Sequence, residues 1–391
     1  MKLLFYRYNS ICEPDMLAAF RALGHTVVEE CTEMENKTFS PKDCIQLVSS
    51  ILLKDTFDFV YSVNFYPTLS EICKIFHIPY ICFIVDSPVL ELYSSSIQNP
   101  NNRIFFFDKI LYEEFYPKNP YGIFHMPLAT NMERNEKSCK DITQKDKEQF
   151  SHDVCFIGSL YSEKCPYNQL TNLPDFLRGY FDGLMEAQLK IYGYNFIEEI
   201  LTEQVVADFT KHAGSYPFPE YAEHNDKAVL AHLYLNSKVA EQERYRLLHT
   251  LSEHFQVSVY TNSDTSCLPN IHNCGFANPI LDAPKIFHLS KINLNITAKP
   301  IRSGLSQRVW DVLGCGGFLI CNFQPEITDY FEPGTDLEIY DSAEDLLMKV
   351  EYYLHHEEQR RQIAQNGYQK VKKHHTYITR IQQILDIVFP F

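Results

Sequence analysis

The 391-residue sequence lacks the motifs of several common protein classes. Its twelve cysteines form no CxxC pair, and its fifteen histidines form no HExxH motif. Every apolar run is shorter than the roughly 18–20 residues that a membrane span needs, and Arg7 interrupts the apolar start of the chain. We therefore expect no such metal motif, no signal peptide, no transmembrane helix and, by default, a cytoplasmic protein with reduced cysteines.

Positive charge is also scarce, because 35 Lys and Arg face 50 Asp and Glu, for a net charge of -15. A general nucleic-acid binder needs a basic face to displace counterions, so we expect no nucleic-acid partner. A local basic pocket for a diphosphate remains compatible with this charge. Aromatic residues are abundant at 14%, which is typical of an aromatic-rich core or of a site lined with stacking rings.

Strand-like and helix-like segments alternate along the first 130 residues. Apolar strands such as KLLFYRY, FDFVYSVN and PYICFIVDS are separated by segments with helical periodicity. Continuous apolar strands in such an alternation predict a parallel sheet covered on both faces, which is a Rossmann-like half. The polar segment 131–150 reads as a linker or a surface excursion.

A second alternating half begins at the strand DVCFIG and is interrupted by a mostly helical segment, 165–250, that we interpret as an insertion. Alternation resumes at QVSVYTN and continues through INLNIT, GFLICN and DLEIYD to three helical segments. Ligands of such sheets bind at the carboxyl ends of the strands. Two halves facing one another therefore predict a site in the cleft between them.

The most informative stretch is 292–350. The strand INLNIT ends in a loop with Ser303 and Gly304, and a helix is predicted from about Ser306 to Gly314. A helix N-terminus carries a partial positive charge and suits a diphosphate, and a glycine lets the backbone approach a phosphate closely. A glycine-rich helix stop before a strand also occurs in many α/β proteins without any ligand.

This stretch resembles the donor-binding half of GT-B glycosyltransferases, of the glycosyl transferases group 1 type found in spore maturation proteins. The phrases SGLSQRVWDVLGCGGFLIC, PEITDYFEPGTDLEIYDS and CGFANPILDAPKIFHLSKINLNIT carry the resemblance. The N-terminal half is similar to the domain of unknown function that commonly precedes this domain, through FYRYNSICEPD, IVDSP and HMPLATN. The resemblance covers nearly the whole chain, with 165–250 the least diagnostic part.

The resemblance implies a GT-B fold of two Rossmann-like domains facing a cleft. Residues 1–140 would form an acceptor domain and residues 150–375 a nucleotide-sugar donor domain with the insertion at about 165–250. A C-terminal helix, about 376–391, would cross back to the N-terminal domain. The activity implied is sugar transfer from a nucleotide-sugar to a hydroxyl of a glycan, protein or small-molecule acceptor. No metal or other cofactor is expected, and the Asp-x-Asp metal signature of the other major transferase fold is absent.

The resemblance also assigns roles around the loop and helix. Asp311 matches the second of two acidic positions and would accept hydrogen bonds from the donor ribose. Ser303 occupies the first acidic position, which puts a retaining mechanism in doubt. Backbone amides of Gly304, Leu305 and Ser306 would contact the diphosphate. Arg308 would add a bidentate contact to phosphate, or else pair with a carboxylate on the helix surface.

Further donor-binding positions follow the other strands. The turn GSLYSEK would place Gly158 and Lys164 near the diphosphate, although Ser159 replaces the usual arginine and Lys164 also fits a solvated loop. Tyr260 ends a strand near the place where a nucleobase usually stacks, and core packing fits it equally. Asn293 or its neighbour two residues on, as a buried strand asparagine, would face the ligand.

In the N-terminal half, Asp86 is the candidate general base for the acceptor hydroxyl, because it follows a strand in IVDSP. A turn or capping carboxylate is the alternative, given its Ser and Pro neighbours. His125 is a second candidate. Two other functions stay open: a noncatalytic nucleotide-sugar-binding or structural protein that keeps the fold, and a sugar-nucleotide epimerase.

Overall fold

The computed structural model describes residues 1–36, 38–214, 216, 218 and 223–390. They form two compact units. The first unit consists of Met1–Leu128, Pro217–Asn225 and Thr376–Phe391, and the second of Ala129–Tyr216 and Asp226–His375. Each unit has its own parallel sheet with helices around it, which confirms the predicted α/β class with two Rossmann-like units.

The described residues of the first unit contain a six-stranded parallel sheet with the strand order β2-β1-β3-β4-β5-β6. Its strands are β1 Lys2–Tyr6, β2 Thr26–Glu30, β3 Phe59–Val63, β4 Tyr80–Ile84, β5 Asn102–Phe106 and β6 Ile123–His125. The central strands β3 and β4 are buried along their whole length. This burial explains why they read as continuous apolar runs rather than as an alternating pattern.

The helices of the first unit's N-terminal part are α1 Glu13–Ala22, α2 Thr32–Glu35, α3 Pro41–Lys54, α4 Pro67–Phe76 and α5 Lys109–Phe115. Their ends follow local signals in the sequence. At α3 the Ser40 hydroxyl accepts from the Asp43 amide at 3.2 Å, and Pro41 occupies the first turn. After α1 the chain turns at Gly24, whose φ of 81° is in the left-handed region that glycine favours.

The described residues of the second unit also contain a six-stranded parallel sheet, with the order β12-β11-β10-β7-β8-β9. Its strands are β7 Val154–Ile157, β8 Val257–Tyr260, β9 His272–Asn273, β10 Ile292–Asn295, β11 Leu319–Asn322 and β12 Glu338–Tyr340. The order places β10 at the centre of the sheet, between β7 and β11. The loop that leaves the carboxyl end of β10 is therefore flanked by the loops of both neighbouring strands.

The second unit's helices include the predicted insertion. They are α6 Met132–Lys140, α7 Gln144–Phe150, α8 Asp175–Gln188, α9 Ile197–Ile200, α10 Glu203–Ala213, α11 Asp226–Ala228, α12 Asn236–Ser252, α13 Ala283–Leu289, α14 Gln307–Gly314, α15 Ile327–Tyr330, α16 Ala343–His355 and α17 Glu357–His374. A π-helical segment, Val229–Leu235, leads into α12. The helices of the insertion pack around their own apolar cluster, which includes Phe181, Met185 and Leu235.

The segment 131–150, predicted as a linker or a surface excursion, forms the two helices α6 and α7. Asn131 accepts from the Arg134 amide at 3.1 Å and begins α6, and a capping box between Thr143 and Asp146 begins α7. Both helices are polar on most of their surface, which hides the helical period.

The last helix, α18 Tyr377–Val388, belongs to the first unit and packs on α1. This arrangement matches the predicted return of the C-terminal helix. Its apolar residues Ile381 and Ile384 are fully buried. Within the part of the chain that the structure describes, no helix is long and apolar enough to cross a lipid bilayer.

Candidate functional site

The loop from β10 to α14 places several polar groups at the carboxyl end of the second unit's sheet. Ser306 is the N-cap of α14 and has extended backbone angles, φ -61° and ψ 155°. Its hydroxyl donates to Asn295 Oδ1 at 3.1 Å, so the side chain is tied to the end of β10. The start of α14 is thereby fixed against the strand, and its partial positive charge faces this edge of the sheet.

Ser303 contacts a carboxylate that the sequence analysis did not identify. Its hydroxyl donates to Glu326 Oε1 at 2.7 Å, and each residue is only 2% exposed. The Glu326 amide in turn donates to the Ser303 carbonyl at 3.3 Å. Glu326 follows β11, so it reaches Ser303 from the neighbouring strand. The position where the resemblance expects an acidic side chain therefore has a carboxylate beside it.

The same loop is fixed by Gln324. Its amide nitrogen lies 3.2 Å from the Gly304 carbonyl and 3.4 Å from the Ile301 carbonyl. Leu305 is buried, and its carbonyl accepts from the Trp310 indole at 3.4 Å. The loop is therefore held by hydrogen bonds from two following segments of the chain.

Asp311 is held by two donors on one oxygen. Its Oδ1 accepts from the Thr130 hydroxyl and from the Gln307 side-chain amide, each at 2.9 Å. The Gln307 amide also donates to the Ala129 carbonyl at 2.8 Å. Asn135 on α6 donates to the Thr130 hydroxyl at 3.0 Å, which orients that hydroxyl toward the carboxylate. The orientation of Asp311 therefore depends on the segment that precedes α6.

Arg308, predicted as a phosphate contact, lies over an aromatic ring. Its guanidinium carbon is 5.0 Å from the centroid of Phe287 on α13. Burial lowers the pKa of the Arg308 guanidinium, while the charge of Asp311 acts in the opposite direction. The Arg308 side chain is partly exposed, and it lies between this ring and the charge of Asp311 on its own helix.

The loop after β7 contains a second cation that sequence reasoning missed. Arg244 reaches from α12 to donate to the Ser159 carbonyl and, at 2.7 Å, to the Ile296 carbonyl. It lies 4.7 Å from the Tyr161 ring centroid. A Cβ on Gly158 would come within 4.0 Å of its Nη1. The insertion therefore supplies an arginine to the turn where Ser159 replaces the expected one, whereas Lys164 in that turn is exposed.

Lys299 is the third cation at this edge and was also missed. Its Nζ lies 3.0 Å from Glu243 Oε1 and 4.4 Å from the Tyr192 ring centroid. Both charged side chains are buried, at 9% and 2% exposure. The signal in the sequence was the lysine that lies two residues after the phrase INLNIT, together with Glu243 on the inner side of an amphipathic helix.

Tyr260 and Asn293 lie in the core. Tyr260 packs in a cluster with Phe150, and its hydroxyl lies 2.9 Å from His152 Nε2. The Asn293 amide donates to the Phe287 carbonyl at 2.9 Å and lies 3.2 Å from the Phe318 carbonyl. These contacts fit the core alternative for Tyr260, and they leave Asn295 as the strand asparagine that reaches the loop.

In the first unit, Asp86 belongs to a hydrogen-bonded group at the carboxyl ends of three strands. Its Oδ2 accepts from the Asn64 amide at 2.7 Å and from the Tyr8 hydroxyl at 3.1 Å. Asn64 has φ 59°, and its Oδ1 accepts from the Val85 amide at 3.0 Å. Burial, followed by the negative charge of Asp86, raises the pKa of the Tyr8 hydroxyl. Asp86 itself is exposed, so it is accessible to an acceptor.

Aromatic rings and another carboxylate lie close to this group. Tyr6 donates to Glu33 Oε2 at 2.7 Å and Tyr66 donates to Glu33 Oε1 at 3.2 Å. The Tyr8 and Tyr66 ring centroids are 6.2 Å apart. His125, the second predicted catalytic residue, ends β6, and its ring is 5.9 Å from that of Tyr112.

Comparison with known proteins finds a family model and solved structures that resemble this chain. Residues 242–386 match the model of a family described as glycosyl transferase-like. A glycosyltransferase from Rickettsia africae is 11% identical with a TM-score of 0.57, and the match covers 100% of this chain and 99% of that one. Anabaena HepE in complex with UDP-glucose is 10% identical with a TM-score of 0.57, with 100% of both chains covered.

Sucrose-phosphate synthase from Thermosynechococcus elongatus has a TM-score of 0.54 at 9% identity, over 100% of this chain and 99% of that one. No curated protein sequence matches the chain. The chain therefore has the GT-B fold, and its residues 242–386 are similar to the glycosyl transferase-like family.

Proposed function

We propose that this protein is a glycosyltransferase that moves a sugar from a nucleotide-sugar donor to a hydroxyl acceptor. The observation that carries the proposal is the group at the carboxyl edge of the second unit's sheet. There the start of α14, the carboxylates of Asp311 and Glu326, and the cations Arg244 and Lys299 surround one set of strand ends. The family match spans this segment, and the similar Anabaena HepE structure contains UDP-glucose.

The donor diphosphate would be held without a metal ion. The two hydrogen bonds of Arg244 go to the carbonyls of Ser159 and Ile296, which are neutral acceptors, so its guanidinium would add positive charge here, offset in part by the neighbouring Glu243. The positive end of α14 adds to this field. Such fixed charges stabilise the negative charge that develops on the leaving diphosphate as the bond to the sugar breaks.

The carboxylates would bind the nucleoside and the sugar. Asp311 remains our candidate for the ribose hydroxyls, since a carboxylate can accept from two of them. The Glu326 carboxyl group lies 2.7 Å from the Ser303 hydroxyl. We therefore propose that the Ser303–Glu326 pair performs the task of the single acidic side chain that the resemblance places at this position.

The first unit would bind the acceptor. Asp86 would take the proton of the acceptor hydroxyl as its oxygen bonds to the sugar carbon, while the electrons of the broken bond leave with the diphosphate. Asn64 and Tyr8 orient Asp86 through the hydrogen bonds at 2.7 and 3.1 Å. The tyrosine rings and Glu33 nearby suit a polyhydroxylated acceptor, whose faces stack on rings and whose hydroxyls donate to carboxylates.

Turnover of nucleotide-sugars tests the proposal. Purified protein is incubated with a panel of UDP-, GDP-, dTDP- and CMP-sugars, with and without mixed acceptors, and release of the nucleotide is measured. We expect release from one donor class, and we expect Asp86→Asn to reduce kcat while leaving the donor KM nearly unchanged. Glu114→Gln in the same unit is the matched control.

Binding of a donor without any turnover across the acceptor panel would favour the noncatalytic alternative. Turnover unaffected by Asp86→Asn would remove Asp86 as the base while leaving the transferase proposal intact.

A further inference from the structure

Two cysteines and a histidine meet on the second unit, at a place that the proposed function does not use. Cys139 lies near the end of α6, His288 near the end of α13, and Cys315 directly follows α14. The Cys139 sulfur is 3.8 Å from the carbonyl oxygens of both Pro284 and Cys315. The His288 Nδ1 lies 2.8 Å from the Cys315 carbonyl, and since a carbonyl only accepts, Nδ1 carries the proton there.

This cluster opens into a cavity of about 410 Å³. Cys139 is partly exposed and Cys315 is 3% exposed, so a small molecule entering the cavity meets Cys139 first. The charged and titratable groups lining it from every neighbouring element are Glu136, Lys140, His288, Tyr368 and Lys372, besides the two cysteines. A small uncharged molecule can reach the sulfur through this opening.

The surroundings of Cys139 and Cys315 shift the pKa values of the two thiols in opposite directions. A hydrogen bond from the Cys315 thiol, assisted by His288 and opposed by burial, lowers the pKa of Cys139 to about 6. The bond to Cys139 raises the pKa of His288. Burial and the neighbouring Cys139 raise the pKa of Cys315. Cys139 therefore forms a thiolate more readily than Cys315, and the thiolate is the nucleophilic form of cysteine.

We propose that Cys139 and Cys315 form a peroxide-sensitive thiol pair, in which Cys139 is the attacking sulfur and Cys315 the resolving one. The Cys139 thiolate attacks one oxygen of hydrogen peroxide, the O–O bond breaks, and hydroxide leaves, which gives a sulfenic acid at Cys139. The Cys315 sulfur then attacks the Cys139 sulfur. The S–O bond breaks, water forms from the hydroxyl and the Cys315 proton, and a disulfide joins α6 to the end of α14. Two thiols are oxidised and one peroxide is reduced to two waters.

The test uses the reduced wild-type chain, which needs no variant to fold. It is treated at pH 7 with a small excess of hydrogen peroxide, quenched with iodoacetamide, digested and analysed by mass spectrometry. We expect a peptide pair joined through Cys139 and Cys315 before any other cysteine is oxidised. Cys267 is the internal reference, because it is the exposed free cysteine on a loop away from this cavity.

Two further measurements separate the roles. In Cys315→Ser, dimedone should trap a sulfenic acid at Cys139, because the resolving thiol is missing. Iodoacetamide labelling of Cys139 should depend on pH with a midpoint near 6. Oxidation of Cys267 at the same rate as Cys139, or a labelling midpoint for Cys139 at the ordinary thiol value of about 8.5, would overturn the proposal. Neither result depends on whether the protein is a transferase.

Discussion

At the scale of single residues, the buried contact between Ser303 and Glu326 joins the loops that follow two strands. Glu326 lies 23 positions after Ser303 in the chain. The two side chains meet because β10 and β11 are neighbours in the sheet.

Replacing Ser303 by an acidic residue should destabilise the folded protein. In Ser303→Asp two carboxylates would lie side by side in a buried place, and only a shared proton would relieve their repulsion. The pKa of the carboxyl pair should therefore be higher in the folded protein than in the unfolded chain. The free energy of unfolding of Ser303→Asp should then fall as the pH rises. Ser303→Asn has the same shape without the charge.

We expect Ser303→Asp to melt below Ser303→Asn at pH 8, with a smaller difference at pH 5, as measured by differential scanning calorimetry. A difference that is the same at both pH values would contradict the Ser303–Glu326 contact.

The buried pair of Lys299 and Glu243 makes a second prediction at this scale. Lys299→Met leaves the Glu243 carboxylate, which is 2% exposed, without its cation. Breaking one partner of a buried ion pair costs about 3–5 kcal/mol. Urea denaturation should show that loss, and the double variant Lys299→Met with Glu243→Gln should recover most of it. Equal stability of the single and double variants would show that the ion pair is not formed in solution.

At the scale of elements, the strongly periodic segments were predicted and the polar ones were not. The strands β3, β4 and β10 are buried on both faces, so their apolar runs are unmistakable. The helices α6 and α7 begin at side-chain caps rather than at an apolar stripe. Because helix caps consist of common polar residues, the sequence of these two helices resembled a linker or a surface excursion.

Two helical glycines allow a matched test of helix packing. A Cβ on Gly367 in α17 would lie 2.3 Å from the Asp336 carbonyl oxygen, whereas a Cβ on Gly183 in α8 would meet nothing within 4 Å. We expect Gly367→Ala to cost about 1–3 kcal/mol through overpacking. Gly183→Ala should gain about 0.5–1 kcal/mol, because alanine suits a helix better than glycine. Chemical denaturation of both variants measures this contrast, and a loss of stability in both would refute it.

At the scale of the whole molecule, the fold was predictable and the details of the site only partly so. The two parallel sheets followed from alternation of strands and helices, and the chain shares its fold with enzymes that are about 10% identical to it. Among the predicted donor residues, Ser303, Gly304, Ser306 and Asp311 lie at one edge of a sheet. Tyr260 and Asn293 lie in the core, whereas Asn295, on the same side of β10 as Asn293, reaches the loop because it ends the strand.

The net charge of -15 makes the local cations decisive for binding an anionic donor. Because Arg244 and the start of α14 would supply the positive charge, with Lys299 already paired to Glu243, we expect nucleotide binding to be independent of divalent metal. Titration of the nucleotide in EDTA should give the same Kd as titration in magnesium. Loss of binding in EDTA, restored by adding magnesium, would contradict this account of the diphosphate site.

The most direct test of the central claim is calorimetric titration of the protein with UDP, GDP, dTDP and CMP. The variants are Asp311→Ala and, as the control, Asp182→Ala at an exposed position of α8. We predict that one nucleotide binds the wild type and the control with micromolar Kd and that binding is strongly weakened in folded Asp311→Ala. Absence of binding by every nucleotide, or equal binding by all three proteins, would contradict the proposed donor site.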